Sequence, residues 1–160
     1  MELLQVTKDN ALAAHKQAEP AGKLLLETLF GRSAFIATMA DWEAYIMEKV
    51  KSFEDACAET GEDPADEKFE EGEPDEIAYK KGKVIVRALN SPHILDYRNG
   101  DQRKWEALLK YEVTGFRFDV VYYVVSLAGT ASGSRLRLCS ERLAKYFATQ
   151  FPGLMMPFWL

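Results

Sequence analysis

The sequence has few residues of the types that build metal sites and disulfide frameworks. Its two cysteines, Cys57 and Cys139, lie far apart, and its two histidines, His15 and His93, have no Asp, Cys or Ser pattern beside them. There is no Cys-x-x-Cys pair and no Cys/His spacing typical of zinc ligands. We therefore expect no disulfide, no metal site and no cofactor, and we assign neither histidine a role.

Long hydrophobic runs are also missing. The longest apolar stretches are far shorter than the roughly 18 residues of a membrane span. The N-terminal MELLQVTKDN has neither the basic nor the apolar region of a secretion signal. Because the cysteine content also fits a reducing compartment, we expect a protein that has no membrane partner and that lies in the cytoplasm.

Catalytic signatures are absent as well. Neither GxxxxGK[ST] nor GxGxxG occurs, and no Ser or Cys nucleophile stands in a pattern with a base. The many carboxylates of residues 54–76 do not follow the spacing of an EF-hand loop. These absences disfavour an enzyme, although distant residues can assemble a site that a sequence does not reveal.

The composition is that of a folded domain. Of 160 residues, 48% are hydrophobic and 12% aromatic, which predicts one domain over 1–160 with a substantial core. Charge is unevenly distributed: residues 54–76 hold twelve acidic residues and one lysine, whereas 77–160 hold thirteen basic and six acidic residues. A cationic C-terminal half can attract an anionic partner, and the alternative is an ordinary mixed surface beside a solvated acidic loop.

Helical patterns cover most of the chain, with apolar residues at spacings of three and four behind typical capping residues. The first predicted helix begins after Thr7 and breaks at Pro20 or Gly22, and the second ends at Gly31. A third helix runs from the Asp41 cap to Gly61, and a fourth begins after the Asp75 cap. The last predicted helix runs from the Ser140 cap to Pro152. Residues 61–75 are rich in acid, Gly and Pro, which predicts an exposed connection anchored by Phe69.

A strand pattern appears once. Residues 116–125, FRFDVVYYVV, alternate with a period of two, which predicts a β-strand. Leu136 and Leu138 alternate with arginines and predict its antiparallel partner, joined to it through a loop over 127–134. The fold class is therefore α+β, a predominantly helical single domain with a small antiparallel hairpin in the C-terminal half.

Three blocks carry a resemblance. SFEDACAETG (52–61), AYKKGKVIVRALN (78–90) and SGSRLRLCSERLAKYFATQF (132–151), preceded by KLLLETLFG, resemble in that order a family of small proteins of bacteriophages and prophages of gut anaerobes. The sequence departs from that family at residues 137–139, where Cys-Phe-Lys is usual. The resemblance implies kinship and a phage or prophage origin, and it implies no activity.

The loop GTASGSRLRLCS (129–140) is the strongest candidate for a site. Small residues allow a close backbone approach, exposed N–H groups can form an anion nest, and an arginine can bind a phosphate or carboxylate. The candidate ligand-binding residues are Arg135, Ser134, Ser132, Gly133, Arg117 and Tyr123. The alternative is an ordinary hairpin turn, because turns recruit Gly and Ser for backbone reasons alone.

Two functions remain open. The first is a non-catalytic phage accessory protein that captures an anionic small molecule in the host cell, such as a nucleotide signal of antiphage defence. The second is a virion or assembly protein, in which the apolar C-terminal LMMPFWL forms a homo-oligomer interface or contacts a protein partner. Nucleic acid is disfavoured as a partner by the isoelectric point near 5.2 and the lack of a basic stripe.

Overall fold

The protein folds mainly into α-helices, with one two-stranded antiparallel sheet in its C-terminal half, which confirms the predicted α+β class. A computed structural model describes residues 7–112, 115–124 and 134–158. The helices are α1 (Lys8–Gln17), α2 (Pro20–Phe30), α3 (Met39–Lys49), α4 (Phe53–Thr60), α5 (Pro74–Asn90), α6 (Glu141–Gln150) and α7 (Pro152–Met155), and the strands are β1 (Lys104–Glu112) and β2 (Gly115–Val124).

Contacts divide the chain into two units, Met1–Tyr45 and Ile46–Leu160. The single domain over 1–160 stays a prediction. Among the described residues, none of the helices combines the length and the apolar character needed to cross a bilayer.

In the first unit, α1 and α2 meet through a histidine. Nε2 of His15 lies 2.8 Å from Oε1 of Glu27, and the His15 ring stacks on Phe35 at 4.3 Å between centroids. Two predicted helix ends are confirmed, because the hydroxyl of Thr7 accepts a hydrogen bond in the first turn of α1 and Gly31 ends α2 with a φ of 79°. Asp41, predicted as a cap, instead lies in the first turn of α3, which begins at Met39. His15 therefore holds two helices together.

The helix predicted from Asp41 to Gly61 is two helices. α3 ends at Lys49 and α4 begins at Phe53, after a capping box in which Ser52 Oγ accepts from the Asp55 amide at 3.1 Å. Oδ2 of Asp55 accepts in return from the Ser52 amide at 3.0 Å. The prediction of one helix was wrong because this local cap starts a new helix inside a continuous apolar pattern.

The acidic connection 61–75 is anchored by the predicted Phe69 and also by polar contacts with α5, from Arg87 to Glu62 and from Lys80 to the Glu71 carbonyl. Phe69 is 2% exposed, and its ring meets Phe53 edge to face at 4.9 Å. Gly61 ends α4 in the left-handed conformation with a φ of 70°, as its position predicts. α5 begins at Pro74, one residue before the predicted Asp75 cap, which therefore lies in the first turn.

The sheet pairs β2 with β1 and not with residues 135–138. The register runs from Lys104 opposite Val124 to Glu112 opposite Gly115, with one irregularity after Leu108. The predicted partner segment instead forms a short 3-10 helix, Ser134–Leu136, and one antiparallel bridge between Leu138 and Trp105. That prediction was wrong because β1 offers nine residues and a two-residue separation, a longer ladder with less loop-closure entropy to overcome.

The core of the second unit lies between α5, α6 and the sheet. Its buried side chains include Val84, Ile85, Leu89, Leu138, Leu143, Phe147 and Phe151. The C-terminal segment through residue 158 folds back onto α5. A Cβ on Gly82 of α5 would lie 3.3 Å from Leu136 Cδ2 and 3.7 Å from Leu154 Cδ2, so this glycine permits a close approach.

Candidate functional site

The six candidate residues from the sequence lie in different places. Ser132 and Gly133 lie outside the described residues, and Ser134 begins the 3-10 helix. Arg117 pairs with Lys110 in the sheet register. None of these four positions is shown to meet another in the described structure.

The other two candidates lie on different surfaces. Arg135 is exposed and lines a cleft of about 750 Å³ in the second unit. Tyr123 lies on β2, with its ring 5.2 Å from the Trp105 ring and 4.7 Å from the Arg103 guanidinium, and it does not line that cleft. The structure therefore does not place Tyr123 and Arg135 around one ligand position.

The cleft is strongly cationic. Its described lining contains Lys68, Lys80, Lys83, Arg87, Arg135 and Arg137, and Glu62 is its one carboxylate. Its apolar and aromatic lining contains Phe69, Val84, Val86, Ile94, Leu95 and Tyr97. This surplus of N–H donors and positive charge suits an anion with an organic part.

Three of the cations form a stripe on α5 that the sequence analysis missed. Lys80, Lys83 and Arg87 follow at spacings of three and four, so they share one helix face. The same helix buries Ile85 and Leu89 on the other side. The signal was present in the sequence, because a basic stripe beside an apolar stripe at helical spacing predicts a cationic wall.

Glu62 neutralises one end of the cleft. Its carboxylate accepts from Lys68 Nζ at 2.6 Å and from Arg87 Nη2 at 2.7 Å. The hydrogen bond from Lys68 holds the pKa of Glu62 below its usual value, and the charge of Arg87 lowers it further. This end of the cleft therefore contributes less attraction for an anion than its two cations suggest.

Three further cations of the cleft have no acid beside them in the part of the chain that the structure describes. Lys80 Nζ donates to the backbone carbonyl of Glu71 at 2.6 Å, and Lys83 Nζ lies 4.9 Å from the Tyr79 ring centroid. Among the described residues, no carboxylate lies within salt-bridge distance of Lys80, Lys83 or Arg135. Their charges remain available to a bound anion.

Asn90 and Trp105 position the segment that carries the cleft arginines. The side-chain amide of Asn90 donates to the carbonyl of Arg137 at 2.9 Å, and its oxygen accepts from the amide of Cys139 at 2.9 Å. On the other side, Leu138 exchanges backbone hydrogen bonds with Trp105 at 2.8 and 2.9 Å. The backbone of Arg137 is thereby fixed between α5 and β1.

Arg137 is the buried member of the set. The residue is 4% exposed, its Nε donates to Oε1 of Glu106, and the same carboxylate accepts from the hydroxyl of Tyr122 at 2.6 Å. Its Nη1 is buried and has no hydrogen-bond partner among the described residues. Buried guanidinium donors are normally satisfied, so this atom indicates a missing acceptor. The sequence analysis did not single out Arg137, although it alternates in step with Arg135.

The aromatic ring of Tyr97 lines the same cleft as these charges. Burial raises the pKa of the Tyr97 phenol, while the charges of Arg137 and Arg135 oppose that rise, so the ring lies within their electrostatic reach. Lys104 is fully buried, with its Nζ 5.7 Å from the Tyr97 ring centroid. Tyr97 can therefore offer a neutral hydroxyl and an aromatic surface to a ligand at neutral pH.

Comparison of the chain with protein-family models, with curated proteins and with solved structures found no match. What the cleft can bind therefore follows from its own side chains. Among the described residues, no three His, Cys, Asp or Glu side chains converge as metal ligands. The chemistry that the cleft offers is hydrogen-bond donation and positive charge.

Proposed function

We propose that this protein is a non-catalytic binding protein that captures an anionic small molecule in the cationic cleft. The observation that carries the proposal is that, among the residues that the structure describes, six cationic side chains, including Arg135, share the cleft with a single carboxylate. The attraction between such a set and an oxyanion is strongest where water is partly excluded.

The rest of the cleft favours a ligand with an organic part. Its volume of about 750 Å³ falls within the ~300–1,000 Å³ typical of small-molecule sites. Ile94, 84% exposed, stands at the cleft, where a bound molecule would remove it from water. A nucleotide combines the required negative charge with an aromatic base, and the resemblance to phage proteins supports a nucleotide signal of antiphage defence in the host cytoplasm as its source.

Native mass spectrometry of the purified protein tests this proposal. We expect a retained phosphorylated or otherwise anionic small molecule that disappears in Arg135→Ala and persists in Arg103→Ala. Arg103 is the matched control because it is an exposed arginine that packs on Tyr123 and does not line the cleft. Equal retention in the wild type and in Arg135→Ala would contradict the assignment to this cleft.

A second candidate, a virion or assembly protein, is favoured by a different surface. On α2, Leu24, Leu25 and Leu29 are 66%, 60% and 65% exposed, and among its described residues α2 has none that is buried. Apolar side chains at this density favour a protein interface, including a homo-oligomer. A defined oligomer that dissociates in Leu25→Lys, with no retained small molecule, would support this alternative over capture.

A further inference from the structure

Arg137 places a buried guanidinium in the lining of the cleft. Its side chain is 4% exposed, so water cannot replace a missing partner freely. One edge of the guanidinium is occupied, because Nε donates a hydrogen bond to Glu106. Nη1 is buried without a partner among the described residues, and the residue lines the cleft. An acceptor brought by a ligand is the simplest way to satisfy that atom.

The charge of the cleft indicates the kind of acceptor. Glu106 already balances the positive charge of Arg137. Arg135, Lys80 and Lys83 line the same cleft, and among the described residues no carboxylate lies within salt-bridge distance of these three. A single carboxylate would leave part of this charge unbalanced. A phosphomonoester, which carries between about −1.5 and −2 at neutral pH and offers three oxygens, matches it better.

We propose that Arg137 and Arg135 form a phosphate subsite, in which Nη1 of Arg137 binds a phosphoryl oxygen and Glu106 is the positioning residue that fixes the guanidinium. This subsite rests on the proposed function and narrows its ligand class to phosphomonoesters. The organic part of the ligand lies along Tyr97 and Ile94, and Lys80 and Lys83 are available for further phosphates on the α5 wall.

Calorimetric titrations with adenosine monophosphate, inorganic phosphate, adenosine and acetate test the subsite. We expect both phosphate probes to bind the wild type, and adenosine and acetate to bind at least tenfold more weakly than adenosine monophosphate. Arg137→Lys keeps the charge, but its single nitrogen cannot take the places of both Nε at Glu106 and Nη1 at the phosphate. We therefore expect at least a tenfold loss of affinity for both phosphate probes. Arg103→Lys serves as the matched control and should leave the affinity unchanged.

Variants of Glu106 separate positioning from simple charge. Removing a carboxylate raises the local positive potential, so electrostatics alone predicts tighter phosphate binding by Glu106→Ala. Positioning predicts the opposite, a severalfold loss in Glu106→Ala, with recovery in Glu106→Gln, whose amide oxygen keeps the acceptor for Nε while its NH2 group can donate to the Tyr122 hydroxyl. Tighter binding by Glu106→Ala would overturn the positioning role.

A measurement on the wild type covers the case in which a variant does not fold. Inorganic phosphate is titrated into isotope-labelled protein, and the expected shifts are at the Arg137 side chain, the Asn90 side-chain amide and the Cys139 amide. Shifts confined to Lys80 and Lys83 would overturn the subsite and keep the capture function. Binding of carboxylates in preference to phosphates would also overturn the subsite alone, whereas no binding of any anion would overturn both proposals.

Discussion

Asn90 and Arg137 are 47 residues apart in the chain, yet the Asn90 side chain makes two hydrogen bonds to the backbone of residues 137–139. Its amide donates to the Arg137 carbonyl, and its oxygen accepts from the Cys139 amide. A single buried side chain at the C-terminal end of α5 therefore connects this helix to the segment that lines the cleft.

Replacing Asn90 should weaken both the fold and the site. Asn90→Ala leaves the Arg137 carbonyl and the Cys139 amide without this partner, and we expect the free energy of unfolding to fall by about 2–3 kcal/mol. Asn90→Asp retains an acceptor for the Cys139 amide but sets a buried carboxylate oxygen against the Arg137 carbonyl, so its loss should be at least as large. Urea denaturation measures both. A loss below 0.5 kcal/mol in Asn90→Ala, the roughly ±0.5 kcal/mol range of surface substitutions, would mean that other contacts hold this segment.

The capping box of α4 makes stability depend on pH. Hydrogen bonds from the Lys51 and Ser52 amides favour the charged form of Asp55, and the one from Lys51 contributes most, so its pKa in the folded protein is lowered. The stabilisation by this carboxylate is therefore present at neutral pH and is lost as pH falls below about 4, through the folded pKa.

Asp55→Asn tests that dependence. At neutral pH we expect it to be less stable than the wild type by about 1 kcal/mol, the size typical of a helix cap. The difference should shrink as both proteins are titrated below about pH 4, because the wild-type carboxyl is then protonated. Urea denaturation at several pH values measures it, and a difference that persists unchanged into acid would refute the electrostatic origin.

Local features of the fold could be predicted from sequence, and long-range ones could not. The Ser140 cap of α6 was predictable because a hydroxyl and the Leu143 amide three residues on form a local unit. The strand over 116–125 was also recognised, but its partner was not, because pairing is decided by tertiary contacts.

The same distinction holds in the site. Arg135 was found from the chemistry of its loop. The Arg137 side chain reaches Glu106, 31 residues away, and the Arg137 backbone is held by Asn90. No local pattern connects these three residues. Sequence therefore indicated the segment, while the burial of Arg137 and its unsatisfied donor depend on long-range contacts with Glu106 on β1 and Asn90 on α5.

Gly82 tests whether the 3-10 helix Ser134–Leu136 packs closely against α5. A Cβ there would lie 3.3 Å from Leu136, with Leu154 at an ordinary contact distance of 3.7 Å, so Gly82→Val should overpack the Leu136 contact and cost about 1–3 kcal/mol. Gly153→Val is the matched control, because a Cβ at Gly153 meets nothing within 4 Å. Thermal unfolding compares the two variants. Equal effects would mean that Leu136 does not rest on α5 in solution.

Lys104 provides the last test, because it is a fully buried lysine whose hydrogen bonds hold the loop before β1. Its Nζ donates to the carbonyls of Asn99 and Gln102, both at 2.9 Å. Lys104→Met keeps most of the apolar stem and removes the ammonium, so the two carbonyls lose a charged donor. We expect a loss of about 2–3 kcal/mol in the free energy of unfolding and faster hydrogen exchange over residues 96–103.

Lys110→Met on the same strand is the matched control. Lys110 is exposed, so its replacement should change the free energy of unfolding by no more than about 0.5 kcal/mol. If the two variants lose the same stability, Lys104 does not order the loop. If Lys104→Met loses stability and also binds adenosine monophosphate more weakly, the loop that carries Tyr97 and Ile94 is part of the binding site, because its order depends on a residue that does not line the cleft.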